Sequence, residues 1–179
     1  MLTTTSRAES ARLLARFSRY IATEIDGKWE AYRVASMEVE VRPIQRALVI
    51  AGSDERATMF GLYAFAEKYL GVDPLWFWAD NPPRKRERLA WDDVKIAADE
   101  PTFPYRGWFI NDEDLLTEWY NDGGRRNIDY PYYAQVTSPK ASARVYEAML
   151  RLQMNLVVPA SFVDIRNPAE KRLVDDAAR

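Results

Sequence analysis

The segment "ALVIAGSDERATMFGLYAFAEKYLG", residues 47–71, decides the fold class. Its first part, Ala47–Gly52, is a continuous apolar run with the length of a strand that is buried on both faces. Apolar side chains then recur at helical spacing from Met59 to Leu70, and Gly71 follows at the position where a left-handed residue commonly ends a helix. The segment therefore predicts a central strand joined directly to a helix, which is the repeating unit of α/β proteins.

The turn between this strand and this helix is interpreted as a helix cap. Ser53 is placed to cap the helix, and Asp54 and Glu55 lie in its first turn, where the helix dipole favours negative charge. Phosphate-binding loops also join a strand to a helix, but this turn has neither the Lys nor the spaced glycines that such loops need.

Two elements are predicted before this unit. Ser6 and Glu9 form a capping box, and apolar side chains follow at helical spacing, so a helix is expected over residues 7–23. A strand is expected over residues 29–41, because the pattern there becomes alternating, and Pro43 closes it.

After the helix, "PLWFWAD" (residues 74–80) is interpreted as a strand whose aromatic side chains suit either sheet packing or the stacking of a sugar. The polar, Pro-containing stretch 81–89 is expected to be a loop. A domain boundary is placed between Ile96 and Pro104, so that a second structural unit begins at Tyr105.

In the second unit the predicted order is strand, helix, strand, helix. A strand is expected over residues 105–111, and Ser138 and Pro139 are placed to begin the next helix. "LVVPA" (156–160) predicts a short buried strand, and residues 167–170 begin a further helix. This order predicts parallel strands with right-handed crossovers.

The stretch "YRGWFINDEDLL" ends the first strand of that unit in polar residues, among them Asn111, Asp112 and Glu113. In α/β folds the chemistry gathers at the carboxyl ends of strands, and these side chains could bind sugar hydroxyls or transfer protons there. Such residues also commonly end strands and form turns without any chemistry. A site for a hard cation is the weaker interpretation, because these acids do not complete a ligand pattern of fixed spacing.

A long loop follows this strand end and is rich in aromatic residues. Long loops often carry function, so contact with a ligand and ordinary packing are both retained as roles for these side chains. They are Trp119, Tyr120, Tyr130, Tyr132 and Tyr133.

The composition limits the chemistry. The chain of 179 residues has no Cys and no His, so that thiolate chemistry, disulfides and the commonest general base and metal ligand are all absent from it. Lys and Arg number 25 against 27 Asp and Glu, and no segment concentrates positive charge, which argues against a nucleic-acid partner. The sequence has neither an apolar core of signal-peptide length nor a membrane span, so no membrane partner is expected, a soluble protein is predicted, and its location is left open.

Five segments together resemble glycoside hydrolase family 115, the xylan α-1,2-glucuronidases, in order and spacing from Gly27 to Ala160. They are "GKWEAY", "ALVIAGSDERATMFGLYAFAEKYLGV", "WFWADNPP", "PTFPYRGWFINDED" and "SPKASARVYEAMLRLQMNLVVPA". The resemblance implies an α/β fold in which an N-terminal mixed α/β domain, residues 1–100, precedes the first βα units of a catalytic (β/α)8 (TIM) barrel, residues 101–179. A complete barrel takes about 250 residues, so it is incomplete in this chain.

The resemblance also implies an activity, the release of glucuronic acid or its 4-O-methyl ether from glucuronoxylan. Asn111, Asp112 and Glu113 would border the uronic acid and bind substrate, whereas the catalytic acid and base remain unassigned. The implied partners are glucuronoxylan or aldouronic acids, with no cofactor and no metal, and a homodimer of the full-length protein is left open. The chain alone is expected to be inactive. Two alternatives remain, a non-catalytic carbohydrate-binding or interaction module and a barrel completed by another chain.

Overall fold

The computed structural model describes residues 2–4, 6–41, 43–111, 116, 137–158, 164 and 166–178. The chain forms two compact units, Met1–Pro104 and Tyr105–Arg179. Among the described residues, no helix combines the length and the apolar character needed to cross a membrane.

The first unit is built on a four-stranded mixed sheet in the order β1-β3-β2-β4. Strand β3 is parallel to β1 and antiparallel to β2, and β2 is antiparallel to β4. The strands are β1 (Leu2–Thr4), β2 (Tyr32–Val41), β3 (Ile44–Gly52) and β4 (Lys95–Ala98). The predicted central strand is thus confirmed, because β3 has a neighbour on each side.

Helices cover both faces of this sheet. Val49 and Ala51 of β3 are buried against Leu14, Ile21 and Ile25 from the two N-terminal helices. On the opposite face, a Cβ added at Gly61 of the third helix would lie 3.0 Å from Ile50. Adjacent residues of β3 therefore face different helices, which explains why its sequence is continuously apolar.

The N-terminal helical region differs from the single helix that was predicted. Helix α1 (Ala8–Phe17) ends at Ser18, which has an extended backbone, and α2 (Arg19–Ile25) follows. The hydroxyl of Ser18 accepts a hydrogen bond from the Ile21 amide over 3.2 Å, so this Ser begins a new helix instead of continuing the first.

The start of α1 also differs from the predicted capping box at Ser6 and Glu9. The residue at the N-cap is Arg7, and its side chain makes no capping hydrogen bond. The side chain of Arg7 instead pairs with Glu55 at the start of the third helix. The capping-box prediction is therefore wrong, because the N-cap is Arg7, one residue after Ser6.

Helix α3 (Glu55–Leu70) confirms the helix that follows the central strand. Its cap is one residue later than predicted, because the carboxylate of Asp54, not the hydroxyl of Ser53, accepts the hydrogen bond from the Ala57 amide. Gly71 ends α3 with a φ of 71°, in the left-handed conformation expected from the sequence.

The predicted strand at residues 74–80 is wrong, because this segment forms successive turns. Asp73 begins them by accepting a hydrogen bond from the Leu75 amide through its side chain, over 2.8 Å. The amides of Ala79 and Asn81 then bond carbonyls within the same segment. The side chain of an Asp can compete in this way with sheet hydrogen bonding, which the apolar pattern alone does not reveal.

The second unit contains a two-stranded parallel sheet with helices between and after the strands. Its elements are β5 (Gly107–Phe109), α4 (Pro139–Arg151), β6 (Leu156–Val158) and α5 (Pro168–Ala178). The Ser138 hydroxyl caps α4 by accepting from the Ala141 amide over 3.2 Å, as expected. The parallel pairing is confirmed, while the hand of the crossover stays a prediction.

Strand β6 was expected to be buried, but Leu156 and Val158 are 47% and 44% exposed. Phe109, opposite Val158 in the register, is 59% exposed, so one face of this sheet has no covering layer among the described residues. The prediction of burial is therefore wrong for this part of the chain. The mixed α/β class is confirmed, and the barrel stays a prediction because two parallel strands do not define one.

Candidate functional site

Asn111 lies just beyond the carboxyl end of β5 and is exposed. The amide of Ile110 donates to the Val158 carbonyl over 3.0 Å, so the pairing with β6 continues to within one residue of Asn111. The candidate amide therefore follows a paired strand directly. Asp112 and Glu113 lie outside the described residues.

The five loop aromatics named as possible ligand contacts also lie outside the described residues, and their two alternative roles stay predictions. They are Trp119, Tyr120, Tyr130, Tyr132 and Tyr133.

The start of β5 is held by hydrogen bonds that the sequence pattern did not predict. The Arg106 amide donates to the side-chain oxygen of Asn155 over 3.0 Å, and its carbonyl accepts from the Asn155 amide over 2.8 Å. The Arg106 side chain donates through Nε to the Gln153 carbonyl over 2.9 Å. These bonds attach the start of β5 to the turn before β6. They therefore hold in place the strand that leads to Asn111.

Gly107 allows the close approach of the two strands. A Cβ added there would lie 1.8 Å from the Leu156 carbonyl oxygen, well inside any tolerable contact. Isolated glycines in strands often mark such close backbone approaches, and this signal could have identified Gly107 in the sequence.

Tyr105, Phe109 and Asn111 share one side of the extended segment, and all three are exposed. An amide both donates and accepts hydrogen bonds, and aromatic rings present apolar faces, so this side offers the two kinds of contact that a sugar ring makes. Groups of Asp and Glu that could hold a metal ion are absent from the described part of the chain.

A second group of charged side chains lies in the first unit, around Arg33 of β2. The side chain of Arg33 is 10% exposed and donates to Glu24 over 2.9 Å and to Asp99 over 2.8 Å. It also donates to the Tyr32 and Ala98 carbonyls. Arg33 thereby connects α2, β2 and the residues that follow β4.

These contacts shift the ionisation of their partners. Hydrogen bonds from Arg33 and then Lys28 lower the pKa of Asp99 to about 2 from an ordinary value of 3.8. The pKa of Glu24 is lowered by hydrogen bonds, first from Tyr20 and then from Arg33. The hydrogen bond between Tyr20 and Glu24 in turn raises the pKa of Tyr20. The acids of this cluster are therefore held ionised and act as structural partners.

Comparison with known proteins agrees with the resemblance seen in the sequence. Residues 98–178 match the model of a family described as glycosyl hydrolase family 115. No protein of curated function matches the chain.

A similar solved structure is described as "A novel family GH115 4-O-Methyl-alpha-glucuronidase, BtGH115A, with specificity for decorated arabinogalactans". It is 26% identical with a TM-score of 0.71, and the match covers 98% of this chain and 22% of that one. The chain thus spans about a fifth of the length of this relative, and the likeness includes the first unit. Together these comparisons confirm the resemblance of this chain to glycoside hydrolase family 115.

Proposed function

We propose that this chain is the N-terminal part of a glycoside hydrolase that releases glucuronic acid, or its 4-O-methyl ether, from a polysaccharide such as glucuronoxylan. Residues 1–100 supply a mixed α/β domain, and residues 101–179 supply the first βα units of a (β/α)8 barrel. The chain alone does not hydrolyse the substrate, because the remaining strands of such a barrel carry the other walls of the site.

The observation that carries this proposal is the likeness to the α-glucuronidase structure over 98% of the chain. Within that likeness, the parallel β5–β6 pair and its helix are the unit from which such barrels are built. Asn111 then lies at the carboxyl end of a strand, the end at which these barrels bind their substrates.

In this proposal Asn111, Asp112 and Glu113 contact the uronic acid. An inverting glycosidase needs one carboxylic acid on the leaving oxygen and one carboxylate that activates water, with the two groups about 6.5–9.5 Å apart. Three adjacent residues at one strand end form only one wall around a sugar, so we assign them to binding and place the catalytic pair elsewhere in the full-length protein.

Two polysaccharides are candidates for the glycan that carries the uronic acid. The similar solved structure is described as specific for decorated arabinogalactans. The sugar that leaves is the same for glucuronoxylan and for such a galactan, so both polysaccharides are compared as substrates.

The test uses the full-length protein and measures the release of 4-O-methylglucuronic acid from aldouronic oligosaccharides and from decorated arabinogalactan. Asp112→Asn and Glu113→Gln should each lower kcat/KM about tenfold or more while leaving the unfolding temperature unchanged. Asp92→Asn, which changes an exposed carboxylate of the first unit, is the matched control and should leave kcat/KM unchanged.

Absence of uronic acid release by the full-length protein would refute the proposal. Wild-type rates in both site variants would return Asp112 and Glu113 to the role of strand-end turn residues.

A non-catalytic carbohydrate-binding module is the second candidate, and the exposed side of β5 favours it. Tyr105 is 75% exposed and Phe109 is 59% exposed, on the same side as Asn111. If the 179-residue chain binds aldouronic acid and the full-length protein binds it without releasing uronic acid, the module is the correct interpretation.

A further inference from the structure

All four strands of the first unit have one end at the same edge of the sheet. Thr4 and Gly52, where β1 and β3 end, are partners in the register. Tyr32, where β2 begins, pairs with Gly52 and with Ala98, where β4 ends. The loops next to these four ends therefore meet at one place, which is the carboxyl edge of the parallel pair β1–β3, where α/β sheets commonly bind ligands.

An open cleft of about 410 Å³ lies at this edge. Its volume is within the usual range for small-molecule sites. It is lined by Ser6, Trp29, Asp54, Glu55 and Arg56. These residues come from three segments that are distant in sequence: the turn before α1, the "GKWEAY" loop, and the cap and first turn of α3.

Glu30 occupies an unusual position in this group of loops. Its φ is 49°, a conformation that non-glycine residues seldom adopt, and its side chain is only 1% exposed. Its amide donates to Asp54 over 2.8 Å, and its carboxylate accepts from Arg56 over 2.8 Å. Strained backbone of this kind persists where surrounding contacts enforce it and is common at binding sites.

The loop that carries Trp29 is fixed on its other side as well. The Trp29 amide donates to the Glu100 carboxylate over 2.9 Å, and Lys28 pairs with Asp99 over 2.9 Å. The Ala31 amide donates to the Ser53 hydroxyl over 3.0 Å. The backbone around Trp29 is thus held in place, while Trp29 itself lines the cleft and is 37% exposed.

We propose that this cleft binds a neutral pyranose unit of a polysaccharide backbone. The apolar face of a pyranose ring packs on the Trp29 indole, and because the backbone of Trp29 is already held, little backbone entropy is lost on binding. Arg56, whose side chain is 47% exposed and oriented by Glu30, donates to ring hydroxyls, and the hydroxyl of Ser6 exchanges hydrogen bonds with them.

The charges of the cleft favour a neutral ligand over an anionic one. Arg56 is neutralised by the buried Glu30, and Glu55 is paired with Arg7. The Asp54 carboxylate adds negative charge and accepts from two backbone amides. A uronate would therefore meet no net positive charge here. This site is separate from the strand end at Asn111 and does not depend on hydrolysis, so it would retain a polysaccharide without acting on it.

The test is isothermal titration calorimetry of the 179-residue chain with xylohexaose and galactohexaose. We expect saturable binding of at least one of them, reduced about tenfold by Trp29→Ala and much less by Trp29→Tyr, which keeps an aromatic face. Tyr20→Ala is the control, because Tyr20 is an exposed aromatic residue of the same unit, 72% exposed, and does not line the cleft. This control should bind like the wild type.

Three results would overturn the proposal. They are no binding of either oligosaccharide by the wild type, equal losses in Trp29→Ala and Tyr20→Ala, and tighter binding of free glucuronic acid than of the neutral oligosaccharides. The unfolding temperature of each variant is measured in parallel, and Trp29→Tyr decides the matter if Trp29→Ala does not fold.

Discussion

Arg33 and Asp99 are joined by a salt bridge in which guanidinium nitrogen and carboxylate oxygen lie 2.8 Å apart, with the Arg33 side chain 10% exposed and that of Asp99 68% exposed. The same carboxylate oxygen lies 2.9 Å from the Lys28 ammonium. Arg33, a buried residue of β2, and Lys28, in the loop before β2, thus both hold the segment that follows β4. Since Glu100, next in sequence, accepts from the Trp29 amide, this salt bridge also supports the edge of the sheet that forms the cleft.

The pH dependence of this salt bridge gives a first prediction. The pKa of Asp99 is about 2 in the folded chain against an ordinary 3.8, so its stabilising contribution is complete above pH 3.8 and is lost as pH falls through 2. Asp99→Asn should therefore lower the unfolding temperature at pH 7, and the difference from the wild type should shrink below pH 3.8 and be mostly lost at pH 2. Thermal unfolding followed by circular dichroism at a series of pH values measures this.

Asp92→Asn serves as the control for this titration, since it removes one exposed carboxylate from the same unit. A difference between Asp99→Asn and the wild type that persists unchanged at pH 2 would show that the carboxylate charge is not the cause.

A second prediction concerns the β5–β6 pair. In Gly107→Ala the new methyl group would lie 1.8 Å from the Leu156 carbonyl oxygen, so the strands must separate, at a cost of about 3 kcal/mol or more. Hydrogen exchange of the Ile110 and Leu156 amides, which both bond across this pair, should become much faster. The matched control is Gly27→Ala, where φ is 70° and nothing lies within 4 Å of the added Cβ, so only backbone strain of about 1 kcal/mol is expected.

Unchanged exchange at Ile110 and Leu156 in Gly107→Ala would contradict the close approach of the strands. Equal effects of the two glycine substitutions on these amides would do so as well.

Local patterns in the sequence predicted those elements whose signals lie within one segment. Residues 47–71 carry a complete strand, a helix and the glycine that ends it, and all three are confirmed. Ser138 with Pro139 likewise marks the start of α4 correctly. In these places the type of each element followed from the sequence, because apolar periodicity agrees with a start or stop signal in the same segment.

Two of the errors occurred where a polar side chain competes with an apolar pattern. Ser18 interrupts residues 7–23, although the apolar spacing continues through it, and Asp73 converts residues 74–80 into turns, although their aromatic side chains suit a strand. In both places a local hydrogen bond to a backbone amide outweighs the tendency of the apolar pattern.

The candidate sites could be predicted only in part. The alternation of residues 105–111 placed Asn111 at a strand end, where the structure has it. The contact of Glu30 with Arg56, by contrast, joins a loop to the first turn of α3, and periodicity cannot bring the two together because the contact depends on the order of strands in the sheet. The cleft around Trp29 therefore became visible only in the structure.

The ion pair between Glu30 and Arg56 gives a third prediction. Arg56→Met removes the cation that neutralises a carboxylate whose side chain is 1% exposed, and it should lower the free energy of unfolding by about 1–3 kcal/mol. The double variant Arg56→Met/Glu30→Gln should recover part of this loss, since an amide is less costly to bury than an uncompensated charge. Urea denaturation of the wild type and of both variants measures the difference. A double variant less stable than Arg56→Met would show that the carboxylate of Glu30 stabilises the loop even without Arg56.

A fourth prediction distinguishes the cap of α3 that the sequence suggested from the one in the structure. Asp54 accepts from the Ala57 amide over 2.7 Å and from the Glu30 amide over 2.8 Å, so Asp54→Ala should cost about 2–3 kcal/mol. Asp54→Ser keeps a capping oxygen and should recover about 1 kcal/mol of this. Ser53→Ala removes the acceptor of the Ala31 amide but leaves the cap of α3 intact.

Hydrogen exchange at the Ala57 amide separates these variants. Exchange should accelerate in Asp54→Ala and stay close to the wild-type rate in Ser53→Ala, because only the first substitution removes the acceptor of that amide. The opposite result would return the cap to Ser53. The Glu30 amide donates to the other carboxylate oxygen of Asp54, so its exchange should also accelerate in Asp54→Ala if Asp54 connects α3 to the loop that lines the cleft.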